Sequence, residues 1–222
     1  LASLLYETNR LAEAEPLFRR ALAIDEKAYG PDHPKVAIRL NNLALLLKAT
    51  TRLAEAEPLF RRALAIDEKA SGPEHPDVAR DLNNLAFLFY DNNRLSEAEP
   101  LYRRALVIDE KAYGPDHPKV ATVLNNLALL LQFTNRLAEA ESLLHRALII
   151  LHGSERKTGH EHPYMKIFLQ NYRALLKAMG LSTEEVERRV KQALAFSGPL
   201  KPIAPMLEPA PKPHAGQVKV AQ

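Results

Sequence analysis

The sequence predicts an all-α solenoid, helical hairpins stacked one upon the next, and three observations carry that reading. First, one 42-residue unit recurs. Gly30-Pro31-Asp32-His33-Pro34 returns as Gly72-Pro73-Glu74-His75-Pro76 and again as Gly114-Pro115-Asp116-His117-Pro118. Second, apolar residues inside the unit follow a helical period. Third, a Gly-Pro-Asp/Glu-His-Pro punctuation recurs where one helix should stop and the next begin. Periods in this range mark supersecondary units that cannot bury their apolar faces alone and stack to do so.

The elements follow in order. Helix A of the second unit spans about Lys35 to Lys48. Pro34 suits its first position, where a missing N–H costs nothing. Leu40, Leu43 and Leu47 recur at i, i+3, i+7 and form one stripe. A polar turn, Ala49-Thr50-Thr51-Arg52, leads to helix B, from Leu53 to about Ala70. Its buried stripe is Leu53, Ala56, Phe60, Ala63 and Leu64, and the two alanines allow close approach of the helices. Glu15–Arg19, Glu57–Arg61 and Glu99–Arg103 are favourable i, i+4 pairs. Lys27, Lys69 and Lys111 sit where the macrodipole favours cations. Gly30, Gly72 and Gly114 suit a left-handed cap. Pro16, Pro58 and Pro100 lie well inside helix B, which predicts a slight kink or a late helix start.

Composition bounds the rest. The 222 residues include no Cys and no Trp, and aromatics make up 6%. Disulfides, thiolate metal sites and a cysteine nucleophile are excluded, and the composition is compatible with a reducing, cytoplasmic setting. No run approaches the ~20 apolar residues needed to span a bilayer. The chain opens at Leu1 within a repeat, so it reads as a fragment. Of the net charge of +3, two units come from the last 27 residues. The array itself is nearly neutral, with alternating signs, which argues against a nucleic-acid footprint.

The pattern resembles a tetratricopeptide repeat of the 42-residue kind found in kinesin light chains and many bacterial repeat proteins. The carriers are Leu40-Asn41-Asn42-Leu43-Ala44 with Leu47 on helix A, and Leu53, Ala56, Phe60 and Ala63 on helix B. The resemblance implies an all-α right-handed superhelix and a protein-interaction role. The predicted organisation is a partial unit at 1–29, full units at 30–71, 72–113 and 114–155, and a divergent capping unit at 156–196. That last unit carries an insertion, Gly153 to Thr158, and the more polar helices expected of an end cap. Residues 197–222 are expected to be a proline-rich, disordered or polyproline-II tail, with six of the sixteen prolines between 199 and 213. Its Pro199–Pro205 stretch matches a PxxP ligand, a pattern that proline-rich linkers also produce by chance.

The resemblance also places a binding groove on the A helices. It puts Asn41, Asn42, Arg80, Asn83, Asn84, Phe87, Tyr90, Asn125, Asn126 and Phe133 towards a concave face. Asparagine offers both a donor and an acceptor, so it can pair with a peptide backbone without reading side chains. Units about 10 Å apart and an extended strand rising about 3.3 Å per residue give about three peptide residues per unit. The alternative is that these paired asparagines bond helix to helix. Phe87, Tyr90 and Phe133 read as anchors for a ligand side chain, and Phe89, at the position of Leu47, reads as core.

No catalytic, cofactor or metal assignment follows. His33, His75 and His117 are too far apart for one metal centre and read as loop and capping residues. Arg61-Arg62 and its repeats read as a solvated face. The sequence has no phosphate-binding glycine loop and no catalytic motif. It predicts a protein or peptide partner, neither nucleic acid nor membrane. The alternative implied by the resemblance is a sensor or autoinhibitory arm of a larger signalling ATPase or caspase-like protease.

Overall fold

The computed structural model describes residues 2–196 and 198–202. Ten helices and no strand occur among them: α1 (Ala2–Glu7), α2 (Leu11–Tyr29), α3 (Pro34–Ala49), α4 (Leu53–Ser71), α5 (Pro76–Asp91), α6 (Leu95–Tyr113), α7 (Pro118–Phe133), α8 (Leu137–Thr158), α9 (Met165–Ala178) and α10 (Thr183–Ala195). Odd-numbered helices are A helices and even-numbered ones B helices.

The helix ends are set by local chemistry. Each His-Pro pair opens an A helix: proline takes the first turn, and the imidazole Nδ1 of His33, His75 or His117 accepts from Lys35, Asp77 or Lys119 N–H. These histidines therefore act as N-caps. The A helices end in a Schellman arrangement. In α3, Thr51 N–H donates to the Lys48 carbonyl and Arg52 N–H to that of Leu47. Thr51, Asn93 and Asn135 hold the required positive φ, at 60°, 56° and 59°.

The B helices depart from expectation at two points. Gly30, Gly72 and Gly114 have φ near +90° but ψ near 160°. That is the extended region open to glycine alone, not the left-handed helical cap expected. Nor do the B helices start late. Each begins five residues before its proline and runs through it. The proline side chains are exposed, so water can serve the carbonyl left without its helical donor.

Leu40, Leu43, Leu47, Ala56, Phe60 and Ala63 are buried, as the stripes require, while Leu53 and Leu64 are half-buried. One apolar cluster runs from Leu5 to Ala193. The three-residue insertion is absorbed as helix: α8 has 22 residues where α2, α4 and α6 have 19. α10 closes the stack against both α8 and α9, and Leu200 packs back onto the core.

Each unit is also tied to its predecessor. Arg52, Arg94 and Arg136 reach back to Glu15, Glu57 and Glu99. Arg62, Arg104 and Arg146 donate to the carbonyls of Pro31, Pro73 and Pro115 and pair with Glu26, Glu68 and Glu110. Arg62 and Arg104, each the second of an Arg-Arg pair, and Arg146 at the equivalent place are thus inter-unit staples rather than purely solvated charges. The remainder of the predicted tail, from residue 203 and including Pro205, lies outside the described residues.

Candidate peptide groove

Successive A helices α3, α5, α7 and α9 approach one another, whereas the B helices α2, α4, α6 and α8 make no comparable contact. From α2 to α8 the A helices therefore lie closer together than the B helices, whereas at the end of the stack α8 also packs on α10. The residues predicted to line a groove all belong to the A helices α3, α5 and α7.

The asparagines form a ladder along these helices. Asn84 donates to Asn41 Oδ1 at 3.3 Å, Asn126 to Asn83 Oδ1 at 3.1 Å, and Asn171 to Asn125 Oδ1 at 2.9 Å. Each rung joins consecutive A helices. Asn41 and Asn125 are buried, and Asn41 also donates to the Ala37 carbonyl and, at 2.6 Å, to Asp81. Their amides are committed to the scaffold. Asn42, Asn83, Asn84 and Asn126 are half-buried and keep unused donor or acceptor capacity.

The aromatic residues gather at the C-terminal ends of α5 and α7. Phe133 is the most exposed large apolar residue of the array, at 65%, and Phe87 is 37% exposed. Tyr90 meets Phe133 edge to face, with ring centroids 6.3 Å apart. Lys48 of α3 lies 3.5 Å from the Phe87 ring centre and 2.7 Å from Asp91, so its charge is neutralised in place. Phe89, as expected, is buried, and Arg94 stacks on it at 4.1 Å.

Arg80 is placed differently from a free ligand contact. Its guanidinium bonds Asp67, Asp77 and Asp81 at 2.8–3.0 Å. Asp81 is fully buried, and its Oδ2 has no hydrogen-bond partner among the described residues. Burial pushes the Asp81 carboxyl up to about 7, against the pull of Arg80, and raises that of Asp67 as well.

Asp67 belongs to a set that sequence reasoning passed over: Asp25, Asp67 and Asp109, one each in α2, α4 and α6, all buried. Their signal was present, because Phe60, Ala63 and Asp67 follow i, i+3, i+7 and so share the buried stripe.

The comparisons fit this geometry. A solved structure described as a Podosopora anserina putative kinesin light chain with nearly identical TPR-like repeats aligns at TM-score 0.68 and 24% identity, over 87% of this chain and 90% of that one. BtubC (BKLC) from P. vanneervenii aligns at 0.71 and 26%, over 100% and 85%. PilF of Pseudomonas aeruginosa aligns at 0.58 and 21%, over 90% and 74%. No curated protein sequence matches the chain. The tetratricopeptide repeat model matches three overlapping stretches, residues 1–69, 40–111 and 82–151. Together with the helical pairing these matches decide the assignment: the chain belongs to the tetratricopeptide repeat family.

Proposed function

We propose that the array is a protein-interaction scaffold that holds an extended peptide against its A helices. Repeats of this family generally serve as interaction scaffolds. The observation that carries the finer reading is the A-helix face itself. It combines open amides at Asn42, Asn83, Asn84 and Asn126 with exposed rings at Phe87 and Phe133. Amides of this kind suit peptide backbone and exposed rings suit an apolar side chain. Asn41, Asn125 and Arg80 hold the face in shape from beneath, and Tyr90 supports Phe133. No catalytic step is assigned to these residues.

An extended-peptide library screened on the chain tests this. The informative variants remove both partners of a rung, as in Asn83→Ala with Asn126→Ala, since a lone buried partner would cost more than the pair. We expect a defined motif, with affinity falling about tenfold or more in a variant that circular dichroism shows still folded. Phe87→Ala with Phe133→Ala should do the same without loss of thermal stability, because both rings are exposed. Library binding indifferent to all four substitutions would refute the groove.

A further inference from the structure

The three buried aspartates are equivalent by sequence but not by partner. Asp25 of α2 is met by Arg39 of α3 at 2.7 Å. Asp67 of α4 is met by Arg80 of α5 at 2.8 Å. In both units a guanidinium rises from the next A helix, two-fifths exposed, and reaches down to a carboxylate that is almost covered. In α7 the positions equivalent to Arg39 and Arg80, 84 and 42 residues further on, hold Val123 and Thr122. Neither can supply a cation. Asp109 of α6 is only 6% exposed, yet among the described residues it makes no hydrogen bond or ion pair and feels only the more distant charge of Lys119. Its oxygens are nonetheless not among the atoms wholly sealed from solvent, unlike Oδ2 of Asp81.

The nearest cation does not replace the missing arginine. Lys119 bonds Tyr113 Oη at 2.7 Å and lies 4.3 Å from the Tyr113 ring centre. Lys35 is held in the same way by Tyr29, at 2.9 Å and 4.1 Å, and in that unit Asp25 still takes Arg39. A lysine at this place therefore coexists with the arginine–aspartate pair rather than standing in for it. A buried carboxylate without a partner is costly, and the burial of Asp109 accordingly pushes its carboxyl up to about 6.

We propose that Asp109, reached past Thr122 and Val123, is a subsite for a guanidinium supplied by the bound ligand. The ligand's arginine takes the place that Arg39 and Arg80 fill in the two preceding units. This rests on the groove reading and adds to it the chemistry of one ligand position: a basic residue, preferably arginine, whose planar fork matches a carboxylate bidentately. Thr122, half-buried with its hydroxyl on the Pro118 carbonyl, is far shorter than the arginine at the equivalent place in α5. The aromatic pair Tyr90–Phe133 lies at the opposite end of the same helices, so the arginine site and the apolar site are separated along α7.

The test uses the whole chain labelled with carboxyl-¹³C aspartate. The probe is N-acetyl-arginine amide, with N-acetyl-citrulline amide as the uncharged isostere. Near neutral pH the Asp109 resonance is expected to shift saturably with the arginine probe, while those of Asp25 and Asp67 stay in place and citrulline has no effect. Val123→Arg restores the residue found in α3, and Thr122→Arg the residue found in α5. Either should occupy Asp109 from within and weaken the probe about tenfold or more. A non-saturable Asp109 shift, or one unchanged in both arginine variants, overturns the proposal. The peptide library separates this from the groove reading. If peptides bind without selecting arginine and the probe fails, the subsite falls and the groove stands. If the probe binds and no peptide does, the groove falls and the subsite stands.

Discussion

At Asp81 the chain places a carboxylate where α3 has Arg39 and α7 has Val123. The charged groups around it are Arg80 and, beyond that guanidinium, Asp77 on α5, and Asp67 on α4. From α3 it receives only the neutral amide of Asn41, and Asp109 of α6 responds to Lys119 rather than to this cluster. Folding raises the Asp81 carboxyl to about 7, so the folded chain keeps a proton that the unfolded chain releases near pH 4. The sign follows from linkage: this group's contribution is present in acid and is lost as pH rises towards 7. Relative to the parent, Asp81→Asn should gain on the order of 2 kcal/mol of stability between pH 5 and pH 8. Denaturant titrations at the two pH values read it directly. Thr51 offers a second test. It is β-branched and sits at φ 60°, where the other turns use asparagine. Thr51→Asn should raise stability by about 0.5–1 kcal/mol.

Among whole elements the B helices carry the clearest conflict between local preference and observed structure. Pro58 and Pro100 stand inside helices that accept them, while α8 has Ser142 at the same place, its hydroxyl bonded to the Ala138 carbonyl. Pro100→Ala restores a backbone donor and should stabilise by about 1 kcal/mol or more, with near-unchanged circular dichroism. Gly72→Ala should do the opposite, by about 1–3 kcal/mol. Nothing lies within 4 Å of the added methyl, so the cost is one of backbone conformation alone. These elements also show what was legible beforehand. Helix starts at Pro34 and Leu53 were readable because caps and turns are local chemistry. The ψ of Gly72 was not, since left-handed and extended caps ask for the same residue. The helical fate of Gly153 to Thr158 was hidden too. Lys157, one turn beyond Gly153, takes the salt bridge to Asp116 that Lys111 makes to Glu74, and that pairing appears only once the units are stacked. The commitments of Asn41 and Asn125 were hidden for the same reason, because a rung needs the register between units.

Across the whole molecule, stability in such a stack is a sum of unit terms and nearest-neighbour terms. α5 and α7 have neighbours on both sides, whereas α1 is six residues long with Leu5 its only buried side chain. Amide exchange should therefore be slowest in α5 to α7 and fastest in α1 and the start of α2. Leu124→Ala should cost about 2–5 kcal/mol, far more than a truncation in α1.

The staple from the second arginine to the preceding proline carbonyl spans 31 residues in each of its three occurrences. The units that carry Arg62, Arg104 and Arg146 thus dock on the unit before them in the same way. A stretch of coding sequence 42 codons long, gained or lost by unequal recombination, would yield a chain whose junctions are already made. The number of units, and with it the length of ligand the A-helix face can follow, is free to drift between generations without passing through an unfolded intermediate. What resists such drift are the singular residues, Arg80 with Asp81 and the unpaired Asp109. They give otherwise interchangeable units an address.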